Sequence, residues 1–254
     1  MSEIIFRGFT GKIDGRYYHN VDPASQIAII FHGQKQTDPD EQKVIDTIFD
    51  CFVKNGFSVL TINFSDKKNI LNEDERENAD LFDSTISLNW LYEKNQETKG
   101  CWIIGYDKAT MTALQLVMRR PEIENYMLIS PNMNKNDLSF IVPCISYGCL
   151  VKSEQDSLVS DDSLIDLQEK LMTKTESKIE TLTIPSEKRN YSDNIEGFKN
   201  ILDEYIKKRV YDFFNNTKSG FDKKKRRRKK KIEDQNDMKI SYVNPVKPLD
   251  FDNL

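Results

Sequence analysis

The sequence predicts an α/β protein in three layers, a mostly parallel central sheet with helices on both faces. Three observations carry this. Apolar runs such as Ile27–Phe31 (IAIIF) are continuous, as in strands covered on both sides. They alternate along the chain with stretches whose apolar residues recur at helical spacing. Turn and capping residues punctuate the alternation. Strands that alternate with helices pair in parallel through right-handed crossovers.

The elements follow in order. Residues 4–9 and 16–21 flank Gly11 and Asp14-Gly15, the pattern of an opening β-hairpin. After the IAIIF strand, Asp38 precedes Pro39 and a helix that carries Val44, Ile45, Ile48, Phe49, Phe52 and Val53 on one side, with Gly56 as its stop. A strand is expected over 57–64, then a helix over 78–92 with Leu81, Phe82, Ile86 and Trp90 inward. The strand over 101–105 leads into a helix over 108–119 that Pro121 ends. Strands over 126–130, 144–151 and 179–184, with helices near 163–172 and 194–214, complete the alternation. About 14 residues separate the strand ending at Ser130 from the next, too few for a cap domain.

Composition narrows the class. With 254 residues and 38% hydrophobic content, one sizeable core is expected. No apolar stretch approaches the ~18 to 20 residues of a membrane-spanning helix, and MSEIIFRGFTGKIDGR lacks the basic-then-apolar order of a signal peptide. Cys51, Cys101, Cys144 and Cys149 sit in apolar contexts without a CxxC pair, so they read as buried free thiols of a reducing, cytoplasmic setting. No cofactor is expected. Glu73, Asp74, Glu75 and Glu77 lack a His or Cys partner and read as a solvated acidic loop, so no metal is expected either.

The net charge of −4 is unevenly spread. From Lys218 onward 12 Lys/Arg stand against 6 Asp/Glu, leaving 25 against 35 before it. The expected organisation is one domain over 1–217 and a basic, disordered tail over 218–254. Within the tail Lys223, Lys224, Lys225, Arg226, Arg227, Arg228, Lys229, Lys230 and Lys231 form nine consecutive cations. Such a run condenses onto polyanions with steep salt dependence. It has no aromatic to stack on bases, so its partners would be non-specific: nucleic acid, an anionic surface or an importin-type receptor. The plainer alternative is a solvated charge run.

One stretch bears on chemistry. In "IIGYDKATM" (103–111) an apolar strand meets a glycine, turns, and enters a helix. Together with "IIFHG", "NGFSVLTINF", "WIIGYDKATMTALQLVMRRPEI", "SPNMNKNDLSFIVPC" and "EQDSLVS", it resembles the small, lidless, dienelactone-hydrolase-like branch of the bacterial α/β-hydrolase fold, over roughly residues 5–210. In that family the elbow reads Gly-x-Ser-x-Gly and holds the serine in a strained turn. Here Asp107 stands at the nucleophile position, between Gly105 and Ala109.

The resemblance places the triad acid at Asp156 and the base after the last strand, in "IPSEKRNY", where Arg189 matches best and Lys188 lies one register away. An arginine stays protonated and cannot serve as a base. The chain's two histidines are His19, in the hairpin, and His32, after the IAIIF strand. His32, Gly33 and Lys108 are the oxyanion-loop candidates. An aspartate nucleophile would form an ester that only an activated water can cleave, and that step needs a base. The expectation is therefore a fold that has lost catalysis and binds a protein or small ligand. The alternatives are a hydrolase of a small ester or lactone using non-standard residues, and a polyanion binder acting through the tail. In their plain readings Asp107 is a turn residue at a helix start, Asp156 a loop residue or cap, and His32 a structural group. Should Arg189 occupy the base position, its guanidinium is expected near Asp107 or Asp156, or between them.

Overall fold

The computed structural model describes residues 1–32, 38–65, 72–134, 138–141, 144, 146–174 and 179–215. The chain divides into two compact units, Met1–Lys207 and Lys208–Leu254. The first carries one eight-stranded sheet; the described part of the second, 208–215, is helical. The basic run at 223–231, and the domain boundary expected at 217, lie outside the described residues.

The strands are β1 (Ser2–Arg7), β2 (Lys12–Tyr18), β3 (Ile27–Phe31), β4 (Ser58–Asn63), β5 (Cys101–Tyr106), β6 (Asn125–Ile129), β7 (Tyr147–Ser153) and β8 (Ile179–Ile184). Their order in the sheet is β1-β2-β4-β3-β5-β6-β7-β8. The hairpin of β1 and β2 is antiparallel and adds to β4 antiparallel; the other five pairings are parallel. β3 pairs with both β4 and β5, and all five of its residues are buried.

Helices α1 (Pro39–Lys54), α2 (Glu73–Lys94), α3 (Ala109–Arg119) and α4 (Asp161–Lys174) connect the strands, and residues 195–207 form a closing helix. Leu88 and Leu91 of α2 and Ala113, Leu114 and Val117 of α3 join Ile29, Phe31, Ile103 and Leu128 in one core. On the other face Trp102 meets Phe52 of α1 (ring centroids 5.5 Å) and Tyr205 of the closing helix (6.4 Å). These are the two helical layers. The closing helix is fastened to α1 through Asp203, which accepts hydrogen bonds from Lys54 (2.8 Å), Asn55 (2.7 Å) and Lys207 (2.7 Å).

Several expected boundaries shift. The hairpin strands are 2–7 and 12–18, both earlier in the chain than the expected 4–9 and 16–21, because the turn falls at Gly8–Gly11. The β7 strand starts at Tyr147, not at 144. The acidic stretch 73–77 is no loop. Asn72 caps it by accepting from the Asp74 amide, and three acids in the first turn face the positive end of the α2 dipole. The inward face of α2 is rotated from the one its spacing favours: Leu81 and Trp90 are partly buried against the core and Phe82 is 46% exposed, while Ala79, Asp83, Ser84, Ser87, Leu88 and Leu91 are buried. Asp83 sets this rotation. Its carboxylate accepts from the backbone of Phe9 and Ser65 and from the Ser65 hydroxyl (2.6–2.8 Å), so that face must turn inward. All four cysteines are buried free thiols.

Candidate functional site

The site forms at the carboxyl ends of the parallel strands, where open α/β sheets place their ligands. β5 ends at Tyr106, and the chain reverses through Asp107 and Lys108 into α3. Gly105 permits the reversal: a Cβ there would lie 2.8 Å from Ala113 Cβ and from Thr110 Cα. Asp107 has φ 50°, a left-handed conformation that aspartate tolerates better than most residues do. Its amide donates to Ile129 O on β6 (2.9 Å), and its carbonyl accepts from the amide and hydroxyl of Thr110 (3.2 and 2.7 Å). The cap of α3 is Lys108, which makes no side-chain cap bond, so the Asp107 carboxylate is left for the site.

Asp156 comes from the turn after β7. Its side chain is fully buried and one oxygen accepts from the Leu158 amide (2.9 Å). Arg189 comes from the loop after β8, which is tied at both ends. Asn194 donates to Pro185 O (2.8 Å), and Asp193 accepts from the Ser186 hydroxyl (2.6 Å) and the Glu187 amide (2.8 Å). Tyr191, completely buried, stacks on Phe198 with ring centroids 4.5 Å apart.

These segments meet on one guanidinium. Arg189 Nη1 donates to Asp107 Oδ1 at 2.8 Å, and Nε lies 3.4 Å from Asp156 Oδ2. Nη2 donates to the Ser130 carbonyl oxygen. Ser130 Oγ in turn bonds the Arg189 carbonyl oxygen (2.9 Å) and the Tyr191 hydroxyl (2.6 Å). Asp107, Ser130 and Tyr191, with φ of 50°, 51° and 58°, are the non-glycine residues with positive φ among the described residues. All three belong to this network. A planar fork between two carboxylates fits the geometry guanidinium groups favour.

Above the fork lies an open cleft of about 410 Å³, lined by Glu41, Tyr106, Asp107, Ser130, Lys188, Arg189 and Asn190. Burial, followed by the Asp107 and Asp38 carboxylates, raises the pKa of Glu41, against a smaller opposing pull from Lys108. Burial, then Glu41 and Asp107, pushes the Tyr106 phenol well above its ordinary range. Burial does the same to Tyr191.

The other sequence candidates lie elsewhere. His32, at the end of β3, is 6% exposed and lines a separate cleft with Arg16 and Thr61. Burial first, and then the Arg16 charge, lower its pKa to about 4, so the ring is neutral at pH 7. His19 Nδ1 is 2.7 Å from the Tyr17 hydroxyl. Gly33 lies outside the described residues; Lys108 and Lys188 are exposed. Among the described residues no group of three or more His, Cys, Asp or Glu is placed to hold a metal. Sequence reasoning misses Ser130, Tyr191, Glu41 and Tyr106. For Ser130 the only signal is its place at a strand end before Pro131; Glu41 is indistinguishable from an ordinary first-turn acid.

No family model matches the chain. An uncharacterised protein of Rickettsia prowazekii is 31% identical over 211 residues, which cover 81% of this chain and 89% of that protein. The crystal structure of a protein of unknown function from Agrobacterium tumefaciens, provisionally described as an α/β hydrolase, superposes with TM-score 0.72 at 30% identity, over 83% of this chain and 97% of that one. A member of the α/β serine hydrolases without lid from Xanthomonas campestris shares the fold at TM-score 0.64 and 15% identity, over 82% and 94%. Among the described residues no helix is long and apolar enough to cross a membrane.

Proposed function

The chain belongs to the α/β-hydrolase superfamily, and we propose that it is a member that has given up hydrolysis and kept its cleft for binding. One observation carries this reading: the Arg189 guanidinium, from the loop after β8 where the family resemblance would put the catalytic base, sits between Asp107 and Asp156. A permanent cation there cannot take a proton from a nucleophile or a water. It also neutralises Asp107, the one group at the elbow that could attack a substrate, and so weakens it as a nucleophile. An aspartyl ester, once formed, would have no imidazole to activate the water that must cleave it, because His19 is bonded to Tyr17 and His32 lines another cleft.

The test is reactivity. The full-length protein is exposed to a fluorophosphonate probe and to a panel of short acyl esters and lactones, beside Asp107→Ala. No labelling, and turnover equal to that of the variant, is the expected result. Stoichiometric labelling of a serine, or turnover that Asp107→Ala abolishes, would return the protein to the hydrolases with non-standard residues. A separate role for the basic run at 223–231 is supported by its nine successive cations alone. Truncation at Asn216 should then abolish salt-sensitive binding to heparin or nucleic acid.

A further inference from the structure

We propose that the cleft above the Asp107–Arg189 pair takes a primary ammonium group of a small organic ligand, held by Glu41, Asp107 and Tyr106. The proposal deepens the binding role set out above and rests on it.

Several groups of the cleft are already satisfied. Arg189 is engaged by Asp107, Asp156 and Ser130, so the strongest cation of the cleft is neutralised from within. Ser130 is used by Arg189 and Tyr191. Three oxygen groups remain. Glu41 has no hydrogen-bond or ion-pair partner among the described residues. It stands three residues after the α1 cap, Asp38, where a glutamate commonly reaches back to the cap amide, yet it makes no such bond. Asp107 uses Oδ1 for Arg189, and its Oδ2 has no partner among the described residues. Tyr106 is 3% exposed, lines the cleft, and its hydroxyl likewise has no partner among the described residues.

The Tyr106 ring is buried but the residue lines the open cleft, where a ligand can replace water as the partner of its hydroxyl. Glu41, Tyr106 and Asp107 line the same cleft, and the charges of Glu41 and Asp107 both act on Tyr106.

The chemistry of the missing group follows. Asp107 is already paired with Arg189, so Glu41 is the carboxylate of the cleft without a countercharge among the described residues; a primary ammonium beside it supplies that charge and offers three donors for three acceptor groups. A divalent metal is disfavoured, since no three ligating side chains gather there among the described residues. An anion would meet Glu41 and Asp107 directly. Lys188 lines the cleft and the Lys108 charge acts weakly on Glu41, but both residues are exposed and neither pairs with Glu41 among the described residues. The open cleft of about 410 Å³ admits the body of an alkylamine and imposes little selection on its length.

The experiment titrates the full-length protein with n-butylamine at neutral pH and low salt, followed by NMR or calorimetry, beside butyrate and butan-1-ol of the same size. Saturable binding of butylamine, at least tenfold tighter than either control, is expected. Glu41→Gln should weaken it about tenfold, the weight of one charge-assisted hydrogen bond, and Tyr106→Phe by a smaller factor. Binding should also fade as pH drops and Glu41 takes up a proton. Butyrate binding as well as butylamine, no saturation by the amine, or an affinity untouched by both substitutions would each overturn the proposal. The wild-type comparison of the three probes stands even if a variant misfolds. Turnover of acyl esters would defeat the non-catalytic reading and leave the amine result standing, so the two failures are distinguishable.

Discussion

Ser130 and Arg189 hold each other twice. The serine hydroxyl bonds the arginine's carbonyl oxygen at 2.9 Å, and the arginine's Nη2 donates to the serine's carbonyl oxygen. The loop after β8 is thereby clamped to the end of β6 by its backbone as well as by charge. The guanidinium is held by the Ser130 carbonyl as well as by the two carboxylates, and it acts as a structural rivet.

Removing the rivet should be costly. Arg189→Met leaves the fully buried Asp156 carboxylate without its countercharge, and a loss of about 2–4 kcal/mol is expected, short of the largest values because Arg189 is itself 28% exposed. Double-mutant cycles in urea should find stronger coupling to Asp156 at 3.4 Å than to Asp107 at 2.8 Å, since the Asp107 side chain is 33% exposed and screened. Stronger coupling to Asp107 would mean that proximity outweighs burial here.

Rebuilding the triad tests the same geometry from the opposite side. Asp107→Ser alone should remain unreactive toward fluorophosphonates, because no base accompanies the hydroxyl. Asp107→Ser with Arg189→His places an imidazole between that hydroxyl and Asp156, the arrangement that activates serine. Measurable labelling should appear only in the double variant. Labelling of the single variant would reveal a base elsewhere.

His32 should govern part of the acid sensitivity. Its folded pKa, about 4, lies below the ~6.5 of an unfolded histidine. A depressed histidine contributes its full stability above pH ~6.5 and loses it as pH falls toward 4, by up to about 3 kcal/mol. The chain has two histidines, so NMR can follow the ring directly. Titration of the His32 ring near 6.5 in the folded protein would refute the assignment. In His32→Asn the corresponding part of the stability loss between pH 6.5 and 4 should vanish.

Gly105→Ala should destabilise the fold strongly, by about 3 kcal/mol or more. The added methyl would sit 2.8 Å from Thr110 Cα and 3.0 Å from Ala109 O, backbone atoms that cannot rotate away. A fall in thermal midpoint of less than about 5 °C would show that α3 can retreat from β5 more easily than its packing implies.

Much of this architecture can be read from the residues. Continuous apolar strands such as IAIIF announce a sheet covered on both faces, and Asp38-Pro39 announces a helix start, because both effects are local. The rotation of α2 cannot be read that way. Of the expected inward stripe, Leu81 and Trp90 do pack against the core, while Phe82 turns outward as the buried Asp83 carboxylate, bonded to Ser65 and Phe9 far off in sequence, takes the inner face. The site divides in the same manner. Asp107, Asp156 and Arg189 are reachable through the spacing of a familiar elbow and its loops. Ser130 and Tyr191 are not, since their roles depend on a backbone conformation and a contact across 61 residues that no pattern announces.

The three left-handed residues around Arg189 also bear on time. Each holds its backbone in a sparsely populated region at a cost of about 1–3 kcal/mol, which the surrounding bonds must offset. Such a corner of a molecule is held by tension between opposing forces, and releasing any one bond frees the others to relax. Fluctuations that open the protein should therefore begin here, with amide protons of the loop over 185–194 exchanging before those of the central strands. The rim of the cleft would then loosen on a faster clock than the sheet beneath it, and a ligand that bridges Glu41 to the elbow would slow that clock first.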